Sequence, residues 1–131
     1  MKNLLLLVTA LILVSACSQT ETTVPNSVNW GERTVDPSSL ENLESGSTYL
    51  SVYPQIYSQD EHRTHFLTVT VSLKNVSPTD SVFVSSARYF DTHGTLIRSY
   101  FDAPIYISPM ETVEIVLKET SKEGGTGANF M

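Results

Sequence analysis

The chain reads as an all-β domain, a small antiparallel β-sandwich with a small β-barrel as the alternative. Three observations carry this. From Thr48 onward, β-branched and aromatic residues come in short alternating runs, turn residues separate those runs, and no long helical period interrupts them. The body is one unit of ordinary domain size, too short for a second core.

The first run is Tyr49–Tyr57, in which Leu50, Val52 and Ile56 share one face and Tyr49, Tyr53 and Tyr57 the other. Pro54 within it marks an edge strand. Phe66–Lys74 is the clearest strand, with Leu67, Val69, Val71 and Leu73 inward and Thr68, Thr70 and Ser72 outward. Asn75–Asp80 is a turn. Ser81–Phe90 and Thr95–Phe101 then flank Asp91-Thr92-His93-Gly94, where Asp caps a turn and Gly takes a positive φ, so a hairpin is expected. Neither alternate set of Val82–Phe90 is cleanly apolar, which predicts a bulge or twist partway along.

Ile105–Ile107 runs into the turn Ser108–Glu111. Thr112–Lys118 returns from it as a strand with Val113, Ile115 and Leu117 on one face. The chain then passes through Gly124–Gly127 to Ala128-Asn129-Phe130-Met131, which reads as the approach to one more strand. The expectation is a sandwich of immunoglobulin-like type that lacks its last strand and shows an unpaired edge there.

The beginning of the chain is of a different kind. Lys2, the apolar run Leu4–Val14 and the small residues Ser15 and Ala16 have the form of an export signal. Eleven residues span roughly 16 Å as a helix, about half of a hydrocarbon core, so the run is too short to remain as a spanning anchor. The sole cysteine, Cys17, follows at once and completes the lipobox Leu13-Val14-Ser15-Ala16-Cys17. Acylation there is the expected use of a lone thiol in an exported chain. Ser18 in place of aspartate resembles the signal for outer-membrane sorting, which places the body in the periplasm of a host with two membranes.

The expected division is therefore a cleaved signal peptide over residues 1–16, a lipidated Cys17 with a tether to residue 47, and the β-domain over 48–131. The tether is rich in Ser, Thr, Asn, Glu and Pro. Within it Pro37–Leu43 is able to form one helical turn, and Trp30 to dock on the domain.

A net charge of −6 argues against nucleic acid as a partner. With Cys17 acylated, no thiol remains for a disulfide, a nucleophile or a soft metal site. Asp60, Glu61, His62 and His65 gather before the best strand, and His93 sits on a turn. Residues three apart on an extended chain face opposite ways, so these read as solvated loop residues and only weakly as metal ligands. No serine lies in a nucleophile motif, and Gly124-Gly125-Thr126-Gly127 lacks the following Lys-Ser/Thr of a phosphate loop. Glycines there serve backbone geometry. No catalytic residue and no cofactor are expected.

Taken together, Tyr49–Tyr57, Phe66–Asn75, Tyr89–Gly94 and Gly124–Phe130 resemble an uncharacterised bacterial exported family called domain of unknown function 3124. The resemblance covers about Tyr49 to Phe130 and implies no activity, substrate or catalytic residues. Members of that family continue past the Ala-Asn-Phe segment, which fits the missing strand. The row Tyr49, Tyr53, Tyr57 reads first as cross-strand packing and, where exposed, as a stripe for a glycan or envelope protein. The sequence thus points to a non-enzymatic, membrane-tethered interaction or structural module. The second reading is a small-ligand or metal carrier using His62, His65 and His93.

Overall fold

The structure, a computed structural model, describes residues 28–131. The signal peptide expected over residues 1–16 and the lipidated Cys17 lie outside the described residues. The domain is all-β, with several antiparallel sheets and no α-helix among the described residues. Ten strands follow in order: β1 Leu50–Val52, β2 Gln55–Ser58, β3 Asp60–Phe66, β4 Val69–Lys74, β5 Val82–Val84, β6 Arg88–Phe90, β7 Leu96–Ser99, β8 Ile105–Ile107, β9 Thr112–Leu117 and β10 Ala128–Phe130. One sheet has four strands in the order β1-β10-β6-β7, and three pairs, β2-β3, β4-β9 and β5-β8, complete the set.

The architecture starts from one long hairpin that splits. β2 and β3 pair around Gln59, whose φ of 70° makes the turn, and the register sets Gln55 opposite Phe66. One step further, the Leu67 N–H donates to the Pro54 carbonyl at 2.8 Å. The return bond of that pair needs an N–H at Pro54, and proline has none. The ladder stops there. Beyond Pro54 the arms part, β1 joining β10 and β4 joining β9.

Two expectations are corrected by this split. Tyr49–Tyr57 is not one edge strand but two strands in different sheets, because the proline interrupts the pairing. Leu67 is exposed and lies between β3 and β4 instead of facing inward, because its amide is held by Pro54 where the chain turns outward. The expected polar loop over Asp60–His65 is likewise a strand, the body of β3. Its side chains are all exposed, so a polar composition costs it nothing.

The rest of the pattern follows the sequence more closely. In β9, Val113, Ile115 and Leu117 are buried and Thr112, Glu114 and Val116 exposed. β4 buries Val71 and half-buries Val69 and Leu73. The run Val82–Phe90 changes sheets midway, β5 pairing β8 while β6 pairs β10 and β7. That change and a register shift at Tyr89/Phe90 account for its mixed polarity. Ala128–Phe130 corrects another expectation, since it is itself a strand, paired on one side with β1 and on the other with β6. Among the described residues the edges of that sheet are β1 and β7.

The core gathers Val52, Val71, Tyr89, Ile105, Ile115 and Phe130 with their neighbours. Tyr89 and Phe130 stack with centroids 5.1 Å apart. One polar side chain is buried with them. Asn75, 1% exposed, donates to the carbonyls of Asp80 (2.7 Å), Ile107 (3.1 Å) and Ser108 (3.0 Å), and its Oδ1 accepts from the Ser77 N–H at 2.9 Å. It therefore ties the β4–β5 turn to the β8–β9 turn. A buried amide with this many partners is a staple, and removing it strands several backbone groups at once.

The stretch before β1 is fastened to the same end. Trp30 packs on Phe101 with centroids 5.4 Å apart. The Val35 N–H donates to the Pro104 carbonyl at 2.8 Å, and Thr34 bridges Ile105. Arg33 makes a two-pronged pair with Glu111, Nη1 donating to Oε2 at 3.0 Å and Nη2 to Oε1. Oε2 also accepts the Ser108 N–H at 2.8 Å. Pro37–Leu40 forms a 3₁₀ turn capped by the Asp36 carboxylate.

Asn75→Ala is expected to cost about 3 kcal/mol in urea unfolding with an unchanged m-value; a loss under about 1 kcal/mol would refute the staple. The Arg33 guanidinium, with help from the Ser108 amide, holds the Glu111 carboxyl down at about 2, from an ordinary 4.5. A carboxyl depressed on folding stabilises fully above its unfolded pKa and loses that contribution as pH falls toward the folded value. Glu111→Gln is therefore expected to lower the melting temperature near pH 7, by about 1 kcal/mol equivalent for a partly exposed two-pronged pair. The gap to wild type should close between about pH 4.5 and 2. A gap independent of pH would show that the ion pair is not its source.

Candidate functional site

The split hairpin leaves a cleft between its arms. β1 ends one sheet and β4 ends another, and among the described residues no strand pairs with the edges they turn toward each other. The cleft has a volume of about 610 Å³ and is lined by Leu50–Tyr53 on one wall and Thr68–Ser72 on the other. Leu50, Val52, Val69 and Val71 give it an apolar floor, and Ser51, Thr68, Thr70 and Ser72 supply hydroxyls. None of the nine lining residues is ionisable apart from the tyrosine phenol. The Ser72 hydroxyl reaches out to Glu114 at 3.3 Å.

Every second residue of a strand points its N–H and C=O away from its partner. In β1 and β4 those groups therefore look into the cleft. Chemically this is a surface that offers backbone donors and acceptors in register with apolar side chains.

The predicted aromatic row flanks the cleft without forming a single stripe. Tyr49 precedes β1, Tyr53 lies in the break at Pro54 and lines the cleft, and Tyr57 belongs to β2. All three are more than half exposed, as cross-strand packing would not leave them. The Tyr49 hydroxyl accepts from Ser51 at 3.3 Å, and that of Tyr57 from Thr126 at 3.5 Å.

The histidines stay apart in environment. His62 and His65 sit three apart on β3, which sends them to opposite faces; His62 lies 3.5 Å from Glu61. His93 is in the β6–β7 turn. Among the described residues no three His, Cys, Asp or Glu side chains gather as a metal site.

The glycine run does structural work. Gly124 has φ +91°, and a Cβ there would stand 2.0 Å from the Tyr89 hydroxyl, 2.9 Å from Pro54 Cγ and 3.0 Å from Ala128 Cβ. The Thr92 hydroxyl donates to the Gly124 carbonyl and accepts the Gly127 N–H, both at 2.9 Å, so that amide is already taken. Asp91 organises the neighbouring turn by accepting from His93 and Thr95 N–H groups, each at 2.8 Å, and the Thr95 bond holds its carboxyl below the usual range. Burial pushes the Tyr89 phenol up to about 12, keeping it neutral as a donor to the Glu123 carbonyl at 3.4 Å. Three sequence-distant motifs, around Pro54, Tyr89–Gly94 and Gly124–Ala128, thus meet behind the cleft.

Sequence reasoning singled out the tyrosines, of which Tyr53 lines the cleft, and missed the cleft itself and Asn75. The signal for the cleft was present at Pro54, which ends a ladder as well as marking an edge. Gly124→Ala is expected to cost about 3 kcal/mol or more through overpacking and a strained φ. In a Tyr89→Phe background, the nearest obstacle gone, the same change should cost measurably less in thermal melts; equal costs in both backgrounds would remove the clash as the cause.

A model of the family described as "Protein of unknown function (DUF3124)" matches residues 45–131. No curated protein and no solved structure matches the chain.

Proposed function

We propose a function from one premise: the chain belongs to the DUF3124 family, whose description carries no activity. The reading is a non-catalytic interaction module of the cell envelope, held to a membrane by acyl chains on Cys17 and engaging its partner at the cleft between β1 and β4. Its sheets pack as a sandwich of immunoglobulin-like type. In a host with two membranes, Ser18 after Cys17 directs it to the outer membrane, facing the periplasm.

The binding half rests on the cleft, whose walls are two strand edges unpaired among the described residues and lined by uncharged side chains. The anchoring half rests on the run Leu13–Cys17 and on the absence of any other cysteine. A net charge of −6 over the whole chain fits a protein partner better than an anionic polymer. Binding through an edge needs no perturbed acid, base or nucleophile.

Expression of the whole chain in a bacterial host tests the anchor. The wild type is expected in the membrane fraction, with a mass raised by diacylglyceryl and acyl groups, and Cys17→Ser in the aqueous fraction without that mass. Unchanged fractionation and mass in Cys17→Ser would refute the anchor.

A further inference from the structure

We infer that the cleft takes an extended segment of a partner protein, which pairs its backbone with the free edge of β4. The inference rests on the reading of the cleft as the binding surface and specifies its occupant.

β4 is the longer of the two walls. Its six residues pair with β9 without a register shift, from Val69 opposite Leu117 to Lys74 opposite Thr112, whereas β1 has three residues. An uninterrupted ladder on one side leaves an evenly spaced row of donors and acceptors on the other. Only an extended backbone repeats at that spacing.

The edge is also unguarded. Proteins blunt free strand edges with charges, prolines and bulges. The β2–β3 hairpin does so, with a register shift at Tyr57/Ser58 and the charged run Asp60-Glu61-His62-Arg63. β7 does so with Arg98 and the bulge opposite it. Thr68–Ser72 carries no charge, no proline and no bulge, and Lys74 stands only at its far end.

The wall specifies the segment. Five residues, Thr68–Ser72, span about 17 Å and match a segment of about five residues. Val69 and Val71 alternate with Thr70 and Ser72, so the incoming segment alternates apolar and hydroxylic residues in the same phase. The uncharged walls in a chain of net charge −6 select a neutral or basic segment.

The test uses the full chain in detergent and a blocked peptide of alternating threonine and valine with lysines at both ends. Amide hydrogen exchange is followed across Val69–Lys74 as the peptide is added. The expected result is slowed exchange there. Two further peptides, N-methylated at the valines or at the threonines, separate backbone pairing from side-chain packing. Pairing along one edge uses alternate amides, so one methylated peptide should lose the protection and the other keep it. Thr70→Lys should weaken binding at least tenfold with exchange elsewhere unchanged; the methylated pair decides the matter if that variant does not fold.

No protection at millimolar peptide, or equal protection by both methylated peptides, would overturn the inference. So would slow exchange of Val69–Lys74 that depends on protein concentration without peptide, which would make a second copy the occupant. Protection by N-acetylglucosamine oligomers and not by the peptide would overturn it in favour of a glycan. The anchor stands apart, since failed pairing in a chain acylated at Cys17 sinks only this inference, and failed acylation leaves the exchange result intact.

Discussion

The missing N–H of Pro54 is the constraint from which the architecture unfolds. From Tyr57 opposite Thr64 to Gln55 opposite Phe66 the hairpin is a regular antiparallel ladder, and at Pro54 it receives a bond that it has no group to return. The two arms then satisfy their backbones elsewhere, β1 against β10 and β4 against β9. One hairpin thereby seeds two sheets and fixes how their edges diverge. The same residue is pinned from behind, with its ring against the backbone of Gly124, where no side chain fits. Pro54 is buried, so the branch point belongs to the packed interior and is set by it.

Where the sequence carried a strict period, the fold was legible. Thr112–Leu117 places an apolar residue at every second position and buries each of those, and Asp91–Gly94 makes the turn its residue types require. Patterns that served two masters were not legible. Val82–Phe90 reads as one ambiguous strand because its halves belong to different sheets with different inner faces. Asp60–His65 reads as a loop because a hairpin exposed on both faces has no reason to alternate. Asn75 reads as a turn residue, and it is one; its burial depends on a second turn more than thirty residues away, which no local pattern records. The cleft was hidden for a similar reason, since an unpaired edge is a fact about topology and not about composition.

The polar side chains divide between two tasks. Asn75, Glu111, Thr92 and Asp91 spend their hydrogen-bonding capacity on turn backbones at the ends of strands. Holding the turns in this way leaves the edges of β1 and β4, among the described residues, unencumbered by side-chain ties. This division explains why perturbed acids occur at Glu111 and Asp91 and yet do not signal catalysis, for in both cases the cause is a backbone or guanidinium donor serving the fold.

The fastening of Trp30, Arg33 and Val35 against Phe101, Glu111 and Pro104 also sets a distance. Measured along the covalent chain, Cys17 is about 33 residue steps from Leu50 but only about 13 from Trp30, or ~115 Å against ~45 Å at roughly 3.5 Å per step. Under the proposed anchoring of Cys17 at a bilayer, the Arg33–Glu111 contact would cut the covalent reach by more than half and would hold the body in a shell close to the lipid. A shorter reach would concentrate the cleft in that shell, so a membrane-proximal partner of the proposed kind would meet the same edge at a higher effective concentration than on a strand of the full length.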